Sequence, residues 1–417
     1  MIAQKIKTLM RSEHMSLRGI SLLDQIFFSG ANFLLTLTLA KYYSDLEVAG
    51  YGIGLSIALI IEATQRNTYV VQNSLLAPQI FRRRARSVMG QHLITWAFIL
   101  SLQFLVFFTL MMFMPSPNFM TIFYSTIVCT LIYAQLTFDR ICLLKHEKYK
   151  APLITSSVFL LLCLCIFFFA PYQKIGFGSV MSLVGLYATL KIIWLVYMIG
   201  KPNFALGWRL TKRDAIKYSP SSIFGVIGAS GFTHVPLFIL GAVAAPVHAA
   251  AFVALRGLMQ PLTIIIKSLD VIDKNIFTSK AGQTQNELRA VFIRQFCLYG
   301  GIAIMALIGA LLFGRFFLHL FYGDRYADFY GVMLGWAGIF GLMTITFPLE
   351  TILVKQNKLI SYNAWRLIAG AIGAVASFAL CASMGANGAV IASLIGWFAS
   401  VIFAFYLVRE LVFKKPS

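Results

Sequence analysis

Arg256 stands near the centre of AAAFVALRGLMQPLTIII (249–266), an almost wholly apolar run with no acid within a helical turn on either side. Lys191 is similarly central in the apolar run 177–200. A cation at such depth in a bilayer costs at least about 2.5 to 3.5 kcal/mol, so it turns toward the protein interior or water. Either residue could attract an anionic substrate in a cavity, or be an ion-paired or snorkelling residue. Arg66 follows Glu62 by one helical turn and can pair with it, and Arg140 beside Asp139 reads as an interfacial anchor. Asp24 and Glu62 are the clear acids within apolar runs, and Glu350 and Asp139 lie at run ends. Asp24 or Glu62 could carry a proton or bind a sodium ion. Gln25, Ser29, Asn32 and Thr36 share one helical face, bordered by Asp24, that either packs on a neighbouring helix or lines a cavity. His234 reads as a hydrogen-bonded packing residue. The deepest charges are positive, which suits an anion better than an organic cation.

The elements that must carry these residues are membrane helices. Of 417 residues 59% are hydrophobic and only 12% charged, with a mean hydropathy of +0.80, outside the range of soluble globular domains. A bilayer core of about 30 Å needs roughly 20 residues of helix. Continuous apolar runs, rather than alternating ones, exclude a barrel. We read an all-α polytopic membrane protein of twelve spans: 18–41, 47–75, 88–114, 118–142, 151–170, 177–200, 220–243, 246–269, 291–314, 327–349, 360–383 and 387–410. They divide into an N-terminal six-helix bundle (1–200), a cytoplasmic linker (201–219) and a C-terminal six-helix bundle (220–417). Arg256 then lies roughly 15 Å from the external end of its span.

No enzyme is expected. The chain lacks the GxxxxGK[ST] phosphate loop, its breaks are too short for the external loops of a membrane polymerase or ligase, and no cofactor or metal is called for. Its six cysteines form neither a disulfide framework nor a metal site. The first 17 residues lack a small-residue cleavage site and lead into a span too long for a signal-peptide core, so this segment is expected to stay attached.

A net charge of +20 resembles a nucleic-acid signal until it is mapped onto this topology. Most Lys and Arg fall at the two ends or on the even-numbered breaks, as in RRRAR (82–86), KHEKYK (145–150) and KRDAIK (212–217). Lys41, Lys174, Arg315 and Arg325 are the exceptions on odd-numbered breaks. By the positive-inside rule both termini are cytoplasmic, and the charge records orientation and contact with membrane lipids, not nucleic acid.

The halves repeat. SGANFLLTLTLAKYYSDLEVAGYG (29–52) aligns without a gap on SGFTHVPLFILGAVAAPVHAAAFV (230–253), an offset of 201; CLLKHEK (142–148) matches ILVKQNK (352–358) at 210, and SLVG (182–185) matches SLIG (393–396) at 211. Six spans per repeat give both halves the same orientation, which implies an axis along the membrane normal and a cleft between bundles suited to alternating access. Arg256 aligns with Leu55, so its cation belongs to one repeat only.

LLDQIFFSGANFLLTLTLAKYYSDLEVAGYGIGLSI (22–57) resembles the first two spans of the polysaccharide-exporter, Wzx-like branch of the multidrug/oligosaccharidyl-lipid/polysaccharide (MOP) flippase superfamily. LFYGDRYADF (320–329) and MGANGAVIASLIG (384–396) resemble recurrent pieces of the same branch. The resemblance implies two six-helix bundles in a MATE-like V shape. It also implies transfer of a polyprenyl-pyrophosphate-linked oligosaccharide across the bacterial inner membrane for O-antigen, capsule or exopolysaccharide assembly. A cationic lumen is expected, which Arg256, Lys191 and Arg66 would suit, with Asn32 and Gln25 as polar lining and other polysaccharide-assembly membrane proteins as partners. Twelve spans in place of fourteen departs from the peptidoglycan-precursor flippases. The competing reading is a proton- or sodium-coupled small-molecule exporter of the same superfamily, with Asp24 or Glu62 as the coupling acid.

Overall fold

The computed structural model describes residues 2–70, 73, 78–113, 117–146, 148, 150–173, 175–260, 266, 285–356 and 358–412. Among them every regular element is helical: α1 Ile2–Tyr42, α2 Asp45–Gln65 with a π-helical end at Arg66–Val70, α3 Pro78–Phe113, α4 Pro117–Lys145, α5 Lys150–Gln173, α6 Phe177–Ile199, α7 Phe204–Thr233, α8 Val235–Val243, α9 Pro246–Leu258, α10 Gln285–Tyr322, a 3-10 turn Ala327–Phe329, α11 Tyr330–Lys355 and α12 Leu359–Val412.

Nine helices among the described residues are long and apolar enough to cross a membrane, or ten if α7 and α8, bent by 44° around His234, form one span. α12, at 54 residues, is far longer than a bilayer requires. It is broken at Gly385, whose φ of 55° and ψ of −131° lie outside the helical region, at the expected junction of the eleventh and twelfth spans. The expected eighth span is described mainly as α9; residues 261–265 and 267–284 lie outside the described part. The stretch 201–219, expected as a linker, is helical from Phe204 onward because its face of Gly207, Leu210 and Asp214 finds a packing partner in α3. This is a multi-pass membrane protein.

The chain forms two compact units. The first comprises Met1–Thr38 and Ile57–Ser219, the second Leu39–Ser56 and Pro220–Ser417. In the first, α4 packs on α3, α5 and α6. Tyr69, Phe81, Met89, Phe138 and Leu195 form a buried cluster at one end. In the second, α11 packs on both α10 and α12, and α8 on α12. Phe292, Leu349, Ile352, Tyr362 and Val408 form its corresponding cluster.

The α1–α2 corner belongs to the second unit, and its sequence shows why it is sharp. Ser44 and Glu47 form a capping box: the Ser44 amide donates to Glu47 Oε2 at 2.9 Å and the Glu47 amide to Ser44 Oγ at 3.4 Å. Arg325 ties this corner to the α10–α11 connection, donating at 2.7 Å to the Ala40 and Tyr43 carbonyls and to Asp45. Gly52 lets α2 approach α9, since a Cβ there would fall 2.0 Å from Val253 Cγ2.

The repeat is visible in backbone detail. At the α1–α2 and α8–α9 corners, Tyr43 N–H donates to Leu39 O and Ala244 N–H to Leu240 O. After α4 and α11, Lys148 N–H donates to Leu143 O at 2.9 Å and Lys358 N–H to Leu353 O at 2.8 Å.

Candidate functional site

The polar face of α1 turns onto α4 and α5 of its own unit. Asn32, buried, donates from Nδ2 to the Phe28 carbonyl at 3.0 Å and accepts at Oδ1 from the Tyr133 hydroxyl of α4 at 2.7 Å. Thr36 donates to the Asn32 carbonyl. Gln25 beside them is half-buried. Asp24 is only 3% exposed; its Oδ2 lies 2.7 Å from Arg140 Nε of α4, and its Oδ1 accepts from the Ser156 hydroxyl of α5. The Arg140 guanidinium also lies over the Phe28 ring, 5.4 Å from its centroid. Arg140, expected at the interface, is therefore drawn inward by a carboxylate and an aromatic face.

The next residue on α4 forms a second pair. Lys191 Nζ of α6 is 2.6 Å from Asp139 Oδ2, with both side chains buried. Consecutive helical residues point about 100° apart, so α4 directs one charge to α1 and the other to α6. Four charges, all but Arg140 nearly inaccessible, thus sum to zero and bind three helices. Breaking one such pair leaves an uncompensated ion, at a typical cost of about 3–5 kcal/mol. Close by, Tyr69 and His92 Nδ1 are 2.7 Å apart, and the His92 ring stacks on Phe138 at 3.8 Å between centroids. Glu62 and Arg66 are 3.7 Å apart at the start of the π-helical turn, and the Arg66 side chain is half exposed.

In the second unit Arg256 lies in the last turn of α9. The preceding residues Ala249–Leu255 are all buried, and the Arg256 guanidinium sits 5.4 Å from the centre of the Trp336 ring of α11. Trp336 is fixed in turn by its indole N–H, which donates to the Phe252 carbonyl at 3.0 Å, while the Tyr322 hydroxyl donates to the Ala254 carbonyl. The cation is half-buried, placed on a π-face by a helix packed on all sides. Arg366 Nη1 of α12 pairs with Glu350 Oε1 of α11 at 3.1 Å, and its guanidinium lies 5.2 Å from the Tyr362 ring centre.

Reading the sequence identified Asp24, Lys191 and Arg256 as charges within apolar runs but not the partners Arg140, Asp139 and Trp336. It missed the Glu350–Arg366 pair altogether. One signal for it existed: an acid ending one apolar run and a base opening the next, joined by a short polar break.

No family model matches the chain, and no curated protein matches it in sequence. Solved structures do match it in fold. The chain is similar to "Lipid II flippase MurJ, inward closed conformation" with a TM-score of 0.72 and 10% identity, over 95% of this chain and 87% of that one. An inward-facing multidrug resistance MATE family transporter of the MOP superfamily matches with a TM-score of 0.66 and 13% identity, over 93% and 94% of the two chains. A MOP superfamily transporter from Pyrococcus furiosus matches with a TM-score of 0.55 and 13% identity, over 95% and 92%. The chain has the fold shared by MurJ and these two transporters, both named as members of the MOP superfamily.

Proposed function

We propose that this protein is a flippase that moves a polyprenyl-pyrophosphate-linked oligosaccharide across the bacterial inner membrane, in O-antigen, capsule or exopolysaccharide assembly. The observation that carries the reading is Arg256, a permanent cation held over Trp336 at the end of an otherwise buried apolar helix. A guanidinium fits a pyrophosphate oxygen pair with two parallel hydrogen bonds, and a partly desolvated one does so strongly. Arg66, exposed near the expected cytoplasmic end of the second span, would meet the same anion on entry. Lys191 and Asn32, each engaged by another helix of their own unit, hold that unit in shape in the state described and reach substrate only when those contacts open. Gln25 adds a half-buried amide to the same face of α1.

No covalent chemistry is required. The protein's work is to lower the cost of carrying a charged, polar head through about 30 Å of hydrocarbon while the prenyl tail stays in lipid. Both termini then face the cytoplasm, and other polysaccharide-assembly membrane proteins are the natural partners. The fold shared with a lipid II flippase supports this reading, since that protein too is named for a lipid-linked substrate.

The test is Arg256→Ala in a strain that makes the surface glycan. The variant reaches the membrane at normal level and the glycan is lost, while Arg256→Lys retains part of it. Normal glycan in Arg256→Ala overturns the assignment. The second reading, a cation-coupled exporter, is favoured by one observation: Asp24 is a carboxylate buried on α1 between Arg140 and Ser156. Deletion that alters drug susceptibility and spares the glycan would establish it instead.

A further inference from the structure

The first part of α7 is a helix whose outward residues are exposed among the described residues. Its inner face is anchored to α3. The Asn203 amide donates to the Arg86 carbonyl at 2.8 Å, and Asn203 Oδ1 accepts from the Leu206 amide at 3.1 Å, capping the helix. Gly207 meets Gly90 backbone to backbone, since a Cβ on Gly207 would fall 2.5 Å from the Gly90 carbonyl carbon. Two helical turns further along the same face, buried Asp214 accepts from Gln91 Nε2 at 2.8 Å. Gly207 and Asp214 are about 10 Å apart along α7, yet both meet α3 at Gly90–Gln91. This face of α7 is therefore fastened to α3 near Gly90–Gln91, and the other faces are turned away from it. α3 is a membrane-spanning candidate (Gln79–Met112), so this contact holds the start of α7 beside the N-terminal part of that candidate.

The outward faces are sorted by chemistry. Phe204, Trp208, Lys212 and Ile216 recur every four residues on one flank, and Arg209 and Arg213 are four apart on the next. Trp208 is 60% exposed and Ile216 is 72% exposed, ahead of the seventh apolar run, 220–243. Arg83, Arg84, Arg86 and Lys201, at the neighbouring ends of α3 and α6, are exposed as well. The acid of this segment, Asp214, is turned inward and already serves Gln91 and Arg213.

We propose that residues 204–216 form a binding surface for anionic phospholipid headgroups of one leaflet. Trp208, Phe204 and Ile216 enter the headgroup–acyl boundary, Lys212 snorkels past them, and Arg209 and Arg213 contact the phosphates. The occupant is settled by charge complementarity and by continuity: the same helix runs on into a membrane-spanning candidate that includes Ile223–Thr233, so a bilayer is the surface already beside it. Each cation near an anionic surface contributes about 1 kcal/mol, a factor of roughly five in binding. Loss of two cations should weaken the interaction about 25-fold by the same reckoning.

The test uses the purified full-length chain in detergent, titrated with dioctanoyl phosphatidylglycerol, reading backbone hydrogen exchange in peptides covering 204–216. Phosphatidylglycerol is expected to protect these amides and dioctanoyl phosphatidylcholine to protect them far less. Arg209→Gln with Lys212→Gln leaves the Asp214 contacts intact and should shift the protection midpoint about 25-fold by that reckoning. Trp208→Ala, which keeps every cation, should weaken protection by both lipids. Equal protection by the two lipids, an unshifted midpoint in the double variant, or no protection by either lipid would each overturn the proposal. Flippase activity is not the readout, so failure here leaves the proposed function standing.

Discussion

The two units solve one problem, holding long helices together where apolar packing gains little over lipid, in different ways. The first ties α1, α4, α5 and α6 with side chains: Asp24 to Arg140 and Ser156, Asp139 to Lys191, Asn32 to Tyr133. The second relies on close backbone approach. A Cβ on Gly228 would fall 2.6 Å from the Arg366 carbonyl carbon, and one on Gly231 2.5 Å from the Gly370 oxygen. At the repeat offset of 201, Asp24 corresponds to Gly225, where α7 comes so near α12 that a Cβ would lie 2.7 Å from Asn363 Oδ1. A carboxylate has no room there.

The charge pair has moved instead. At the offset of 210, Arg140 corresponds to Glu350 and Ser156 to Arg366, so the second unit keeps a pair at this level with the polarity on its inner helix reversed. A buried pair can be rebuilt from neighbouring positions so long as its charges cancel, whereas a backbone crossing depends on the one residue without a side chain. Small residues and interhelical polar contacts are the two general means by which membrane helices associate, and here polar contacts fasten α1 to α4 where backbone approach fastens α7 to α12.

This contrast can be broken at graded strength. Lys191→Ala leaves Asp139 buried without its cation and should cost about 3–5 kcal/mol in the first unit. Thermal unfolding in detergent reads the loss; the double variant Asp139→Leu with Lys191→Leu should recover most of it. A small loss in the single variant would show that water already reaches the pair. Gly228→Ala forces apart two backbones in the second unit and should cost about 1–3 kcal/mol, because neither backbone can rotate away as a side chain can. The same assay applied to Gly30→Ala, the counterpart of Gly231 at the offset of 201, where a Cβ would meet Leu160 Cδ1 at an ordinary 3.6 Å, should show almost no effect.

Glu62→Gln removes a half-exposed pair one helical turn apart and should lower stability by about 0.3–0.5 kcal/mol, a change that vanishes at high salt. The least effect concerns pH. His146, in the connection after α4, has its pKa lowered by partial burial and then by the Lys148 and Arg82 charges. The unfolded chain therefore binds this proton more readily than the folded one. The stability contributed is present above the ordinary histidine pKa and falls as the pH drops through 6.5. The repeat-related residue is Gln356, so His146→Gln should flatten this part of the profile in an unfolding series across that range.

Much of the architecture was legible in the residues. Apolar runs and the polar breaks between them marked helices and their ends. Gly385, within the short break MGANG, marked the end of one expected span and the start of the next. The bend at His234 inside the expected seventh span was less apparent, although Pro236, at the start of α8, removes a backbone donor there. Of the candidate site, burial of Asp24, Lys191 and Arg256 could be argued because a charge in an apolar run must face inward.

By itself the sequence determined that this chain is a helical, multi-pass membrane protein built as a repeat, with a few costly charges inside. Hydropathy and spacing are local properties, and the backbone in lipid has few ways to satisfy its own hydrogen bonds. Only the tertiary structure decided what those charges meet. Asp24 finds Arg140, Asp139 finds Lys191 and Arg256 finds Trp336 across separations of many helical turns. Helical periodicity says which residues share a face, and it carries no information about which helix that face will meet.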